Sequence, residues 1–202
     1  MTTIAPNTAA AALKRLFDAQ VAAIQNAGLA TEAELSPLFP LLEQIGKVTE
    51  GEGRIPFVIV VQNQTLTLSE RMGKVTLDGK TGASYLSDNR VTNLDKIPQG
   101  HYLAIDVEDG RKMRKTKPSV CLTQFKRDKR HGGTVNEGIS VVTYEPEILR
   151  HHYIDLPGSR YGGGNVPYLY VDDGPKLDAY WDGHAYPLCG SLSCGGRLGL
   201  GP

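Results

Sequence analysis

The sequence predicts an α+β fold: an N-terminal helical hairpin packed on a mixed, mainly antiparallel sheet, with one or two further helices. Three observations carry that expectation. Leu13, Leu16, Phe17, Val21 and Ile24 recur at helical spacing. Residues 55–61 and 101–107 are dense apolar runs rich in β-branched side chains. Asp172-Asp173-Gly174-Pro175 separates two more strand-like runs, 168–171 and 177–181, as a hairpin turn would. Long crossings between the strands argue against a simple sandwich.

In chain order, Asn7 is suited to cap the first helix, Lys14, Asp18 and Gln25 fall off its apolar stripe, and Gly28 supplies the stop. Thr31, with Glu34 three residues on, forms a capping-box pattern that opens a second helical stretch. Pro37 and Pro40 break it before residues 41–45, so two short pieces are expected. An amphipathic helix in a single domain mostly faces its own core. The hairpin is therefore read first as a packing layer, and second as a partner or oligomer surface formed by residues 1–46. Composition shifts at residues 51–53. The division is a helical segment, 1–50, and a mixed α+β domain, 51–202, forming one compact unit.

Residues 55–61 read as a buried strand, after which Thr65, Leu66, Thr67 and Leu68 alternate ahead of turns up to Pro98. A second strand, 101–107, ends at Glu108-Asp109-Gly110. Residues 118–125 read as a third strand. Thr134 and Glu137 make another capping box, opening a helix to about Tyr144, and Pro146 suits the first turn of a further helix toward His152. At that helix end His151 and His152 are expected to meet the dipole and water. A Gly-rich loop, 157–165, and an irregular tail from Gly183 complete the chain.

With 22 Lys and Arg against 22 Asp and Glu, the 202 residues carry no net charge, which excludes a uniformly basic nucleic-acid coat protein. Apolar residues at 40% and charged ones at 22% match ordinary globular domains, which excludes disorder and a disulfide scaffold. No apolar run approaches the ~20 residues of a membrane helix, and no basic segment leads an apolar signal core. Three cysteines cannot all pair within one chain. The expectation is a cytoplasmic, reduced protein with no membrane association.

The neutral sum conceals a local excess. Residues 111–131 hold nine Lys and Arg against Asp128 alone, a net of +8. The second basic cluster, Lys126, Arg127, Lys129 and Arg130, runs through His131-Gly132-Gly133 into the cap at Thr134. A helix start with free N–H groups, glycines that let a ligand approach the backbone, and flanking cations together describe an anion site, for nucleic-acid or small-molecule phosphate. Arg160, beside the run Gly162-Gly163-Gly164, and Arg197 are further candidates for that ligand. The competing account is a solvated basic loop.

A different class of function rests on the tail. Cys194 lies in Ser193-Cys194-Gly195-Gly196-Arg197, where Gly N–H groups could form an oxyanion hole and Arg197 could lower the thiol pKa. His184 would then be the base and Asp182 its orienter, giving a thiol-dependent hydrolase or transferase. Three other patterns fail. Gly79-Lys80-Thr81 has Lys74 where a phosphate loop needs Gly, Pro157 and Tyr161 stand where a nucleophile elbow needs Gly, and His184, Cys189 and Cys194 lack a fourth zinc ligand nearby. No metal or cofactor is called for.

Asn136-Glu137-Gly138-Ile139, Pro157-Gly158-Ser159-Arg160 and residues 190–197 resemble segments of a bacterial protein family catalogued only as a domain of unknown function. The resemblance covers the chain from Ile55 onward. It implies that the three segments belong to one recurring domain, and it brings no activity, substrate or catalytic residue with it.

Overall fold

A computed structural model gives the architecture of residues 6–46 and 51–201, with side chains from residue 9 onward. In chain order the helices are α1 (Pro6–Asn26), α2 (Glu32–Leu35), α3 (Leu68–Met72), α4 (Pro118–Arg127) and α5 (Val135–Tyr144). Short 3-10 helices add Ser36–Gln44, Asp88–Arg90, Arg111–Met113 and Pro146–Arg150. The strands are β1 (Arg54–Val60), β2 (Thr76–Leu77), β3 (Lys80–Thr81), β4 (Ala83–Ser84), β5 (Val91–Asn93), β6 (Tyr102–Glu108), β7 (His131–Gly132), β8 (Tyr153–Asp155), β9 (Ser159–Tyr161), β10 (Asn165–Val171), β11 (Pro175–Trp181), β12 (Cys189–Ser191), β13 (Ser193–Cys194) and β14 (Gly196–Gly199). The fold is α+β.

Two sheets carry the chain where one was expected. The first runs β1-β6-β13-β7, with β14 also on β6, and all its pairs are antiparallel. The second runs β12-β8-β10-β11-β4, with β9 joining β10 to β5; β12 on β8 and β4 on β11 are its parallel pairs. A separate hairpin pairs β2 with β3. The strands read at 55 and 101 are antiparallel neighbours in the first sheet, and the hairpin at 172–175 closes β10 on β11 in the second.

The period-2 alternation of β1 explains how the sheet is covered on both faces. Phe57, Ile59 and Val61, with Leu103 of β6, bury against Phe17, Val21 and Ile24 of α1 and Leu38, Leu41 and Leu42 of the following 3-10 helix. Val58 and Val60, with Tyr102 and Ala104, face the opposite way into the larger core. That core lies between the two sheets, and α5 supplies Val135, Ile139, Val141 and Val142 to it against Leu156, Leu169 and Leu177. Gly138 is the point of closest approach: a Cβ there would stand 2.4 Å from Leu156. The apolar stripe of the N-terminal helices is thus spent on this protein's own sheet. Gln20 anchors it, donating from Nε2 to the Phe57 carbonyl at 2.8 Å and accepting the Ile59 N–H at 2.7 Å.

Several local expectations change. The described part of the helix runs from Pro6, so Asn7 lies within it rather than capping it, and its side chain is outside the described residues, as is the proposed boundary at residue 50. Thr31 and Glu34 do form the capping box. Residues 65–68 are not a strand: Thr67 and Glu70 cap α3 in the same reciprocal way. Residues 118–125 are α4 rather than a strand. Pro118, Cys121, Leu122 and Phe125 sit at helical spacing and face inward, and Pro118 occupies the first turn, where its missing N–H costs nothing. His152 is buried, with Nε2 2.8 Å from the Asp109 carbonyl, rather than solvated at a helix end.

Candidate anion-binding face

The basic segment forms one unit: the 3-10 turn Arg111–Met113, a loop, α4, and the turn into β7. Its nine cations divide by environment. Arg111 and Arg130 are held by acids, Arg111 by Asp109 and Glu52, Arg130 by Asp106. Lys112, Arg114, Lys115, Lys117, Lys126, Arg127 and Lys129 are exposed and make no ion pair with any described residue. Lys126 and Arg127 occupy the last turn of α4, where positive charge complements the helix dipole. Lys115 and Lys129 have φ of +64° and +55°, a left-handed conformation that glycine or asparagine fills at lower cost.

Against this unit is a cleft of about 460 Å³, lined by Met113, Phe125, Asp128, Lys129 and Arg130 of the unit and by Arg54, Asp106, Glu108 and Gly195. Arg130 donates to the Asp106 carboxylate at 2.5 Å, to the Asp106 carbonyl at 2.6 Å and to Ser193 Oγ at 3.0 Å. Arg54 bridges Asp106, at 2.7 Å, and Glu108. Asp106 itself breaks the ladder with φ +49°, and the Gly195 N–H is shared between the Ile105 and Asp106 carbonyls. Arg54 and Arg130 in the cleft are therefore neutralised by the protein's own acids, and of the seven cations that pair with no described residue only Lys129 lines it.

The helix start expected to receive a phosphate between the glycines and Thr134 is built differently. Gly132, Gly133 and Thr134 are buried. The Thr134 N–H donates to Glu137 at 2.7 Å, the Val135 N–H to Ser159 Oγ at 3.0 Å, and the Gly133 N–H to the Leu192 carbonyl at 2.8 Å. A Cβ on Gly133 would lie 2.5 Å from Leu192, and one on Gly158 2.1 Å from the Gly132 carbonyl. Gly132 and Gly158 pack backbone against backbone, and Gly133 packs against the Leu192 side chain. Arg197 is drawn inward as well: it donates from Nε to Glu137 at 2.6 Å and from Nη2 to the Gly132 carbonyl at 3.0 Å. The Glu137 pair is the main reason its guanidinium is held above the ordinary arginine range despite burial. Arg160 donates to the carbonyls of Pro157 and Ser159, both at 2.9 Å, and faces Asp182 at 3.5 Å.

Cys194, His184 and Asp182 are not brought together. Cys194 lies in β13 of the first sheet, paired with His131. Asp182 follows β11 of the second sheet, facing Arg160 through its carboxylate and accepting from Ser119 through its carbonyl. His184 is exposed and packs edge-on against Tyr186. No hydrogen bond links the three among the described residues. Burial, with the Glu137 charge nearby, pushes the Cys194 thiol up to about 12. A thiol so placed stays protonated at neutral pH and is not a nucleophile. Cys121, Cys189 and Cys194 are all free and buried. Among the described residues no group of three or more His, Cys, Asp or Glu side chains is placed to hold a metal ion, and no helix is long and apolar enough to cross a membrane.

Beside the basic unit is an aromatic surface that sequence reasoning missed. The Ser119 N–H and Oγ both donate to the Asp182 carbonyl, and the Lys115 N–H donates to the Cys189 carbonyl. The 115–119 segment therefore runs along the 182–189 loop. At the edge of that loop Trp181 is 66% exposed, its ring lying against Gly183, and Tyr186 is 44% exposed. Tyr186 continues inward through Tyr180, Tyr168 and Tyr170, with ring centroids 4.8–5.0 Å apart. Beneath them Asp155 is fully buried. Tyr180 donates to its Oδ1 at 2.7 Å, and its Oδ2 has no partner. Burial dominates over the Tyr180 and Cys189 hydrogen bonds and raises this carboxyl to about 6. No local pattern in the sequence marks Asp155, because its burial depends on segments distant in the chain.

No curated protein and no solved structure matches the chain. A family described only as of unknown function, DUF5701, matches residues 15–200, the two sheets, α4 and α5 included, and the chain belongs to that family.

Proposed function

We propose that this protein binds a polyanion, a single-stranded nucleic acid, along the exposed face of residues 112–129. The observation that carries this reading is the set of seven exposed cations with no acidic partner among the described residues. They fall in two groups at opposite ends of α4, whose ten residues span about 15 Å at 1.5 Å per residue. One compact phosphate cannot reach both groups, whereas a phosphate backbone can. Trp181 and Tyr186, alongside the loop that carries Lys115 and Lys117, offer flat surfaces on which bases stack without regard to sequence. Three free, buried thiols suit a reducing compartment such as the cytoplasm.

The test uses Trp181, the single tryptophan of the chain, as its own reporter. Titration with an oligothymidylate should quench its fluorescence, and affinity should fall steeply with added salt. Lys126, Arg127 and Lys129 changed together to Ala should weaken binding and shallow the salt slope by about two, at ~0.7 per contact on a single strand. Arg130 is left in place because Asp106 depends on it. Absence of binding at low salt, or an unchanged slope in the variant, overturns the reading.

A further inference from the structure

We propose that a second, smaller site, the notch between α3 and the first turn of α5, binds the oxyanion group of a small molecule, a carboxylate or a phosphate. It lies apart from the basic face and does not depend on it.

The notch is built around Arg71. This residue is only 7% exposed, yet its guanidinium forms no ion pair among the described residues. Nη1 donates to Asn136 Oδ1 at 2.7 Å, while Nε is buried with no acceptor, and no described residue accepts from Nη2. Asp88, whose charge acts on it without an ion pair, spends both carboxylate oxygens on the Leu68 N–H, at 3.0 and 3.1 Å. A buried charge is ordinarily paired, since removing it from water is costly. The edge that lacks acceptors here, Nε with Nη2, is the fork that elsewhere receives two oxygens of a carboxylate or phosphate side by side.

One further donor is available from α5. Of its first N–H groups, those of Thr134, Val135 and Glu137 are engaged by Glu137, Ser159 and Thr134 side chains. The N–H of Asn136 has no partner among the described residues, and Asn136 lines the same notch as Arg71. The start of a ten-residue helix carries partial positive charge at that point. Val91 and Val135 form the apolar part of the wall, and the exposed Asn93 and Asp88 mark its mouth. The volume, about 170 Å³, falls below the ~300 Å³ of sites that enclose a whole drug-sized ligand. It suits an anionic headgroup whose remainder projects outward.

The experiment titrates inorganic phosphate and, separately, acetate into the full chain at constant ionic strength, following the Arg71 Nε–H and Asn136 amide signals by NMR. Saturable shifts of both signals are expected, with the tighter of the two ions giving the ligand class. Arg71→Lys keeps the charge, removes the fork and should weaken binding by about tenfold or more. The response should persist in the Lys126, Arg127 and Lys129 triple-alanine variant, which separates this site from the basic face. No saturable shift with either ion in the unmodified protein, or unchanged affinity in Arg71→Lys, overturns the proposal.

Discussion

Arg197 grips Glu137 through two hydrogen bonds, Nε to Oε1 at 2.6 Å and Nη2 to Oε2 at 3.1 Å, with both side chains less than a tenth exposed. Tyr102 adds a third donor to Oε1 at 2.9 Å, and the Thr134 N–H a fourth to Oε2. One carboxylate thereby ties the start of α5 to β6 and β14. Removing one partner of such a pair strands the other charge in the interior, so Arg197→Ala should cost about 3–5 kcal/mol. Urea denaturation measures this directly. A loss under about 1 kcal/mol, the range of a surface pair, would contradict the geometry.

Asp155 sets a pH dependence of opposite sign to the usual carboxylate. Its pKa rises from 3.8 to about 6 on folding, chiefly through burial, so the folded state binds the extra proton. Stability from this group is present at low pH and is lost as pH rises between about 4 and 6, by about 3 kcal/mol in total. Asp155→Asn keeps an acceptor for Tyr180 and carries no charge. It should raise the melting temperature at pH 7 and flatten the stability profile across that window. A variant less stable at pH 7 but unchanged at pH 4 would show that the carboxylate is stabilising.

Lys129 holds a left-handed position just beyond α4, with the Arg130 N–H returning to the Phe125 carbonyl at 2.8 Å. Glycine meets that conformation without the Cβ penalty. Lys129→Gly should therefore gain about 1 kcal/mol of stability while weakening oligonucleotide binding. A variant that loses stability would remove the argument that this lysine sits at a conformational cost.

Cys194 should be inert. With its thiol pushed up to about 12 in a buried strand, iodoacetamide should label it more slowly than free cysteine at neutral pH, and readily only in denaturant. Peptide mass mapping identifies the labelled residue. Fast, selective modification in the native protein would restore the thiol-enzyme reading.

Local pattern made much of this architecture legible. Apolar alternation marked β1 and β6, the Asp172–Pro175 turn marked β10 and β11, and Thr31 and Thr134 with their glutamates marked two helix starts, because each signal needs only neighbours a few residues apart. Thr67 with Glu70 carried the same signal and was hidden by the alternation around it. Pro118, Cys121 and Phe125 carried the helical period of α4, masked by a short apolar run that also fits a strand.

The candidate sites divide along the same line. The sequence by itself determined that positive charge is concentrated in residues 111–131, since a count needs no contacts. Which cations remain available was decided only by tertiary structure: Arg130 meets Asp106, 24 positions earlier, and Arg197 meets Glu137, 60 positions earlier. The burial of Arg71 beside Asn136, and of Asp155 beside Tyr180, arises in the same way. A side chain's charge is written in its own identity, but its exposure and its partner depend on segments that meet only when the sheets close around α5.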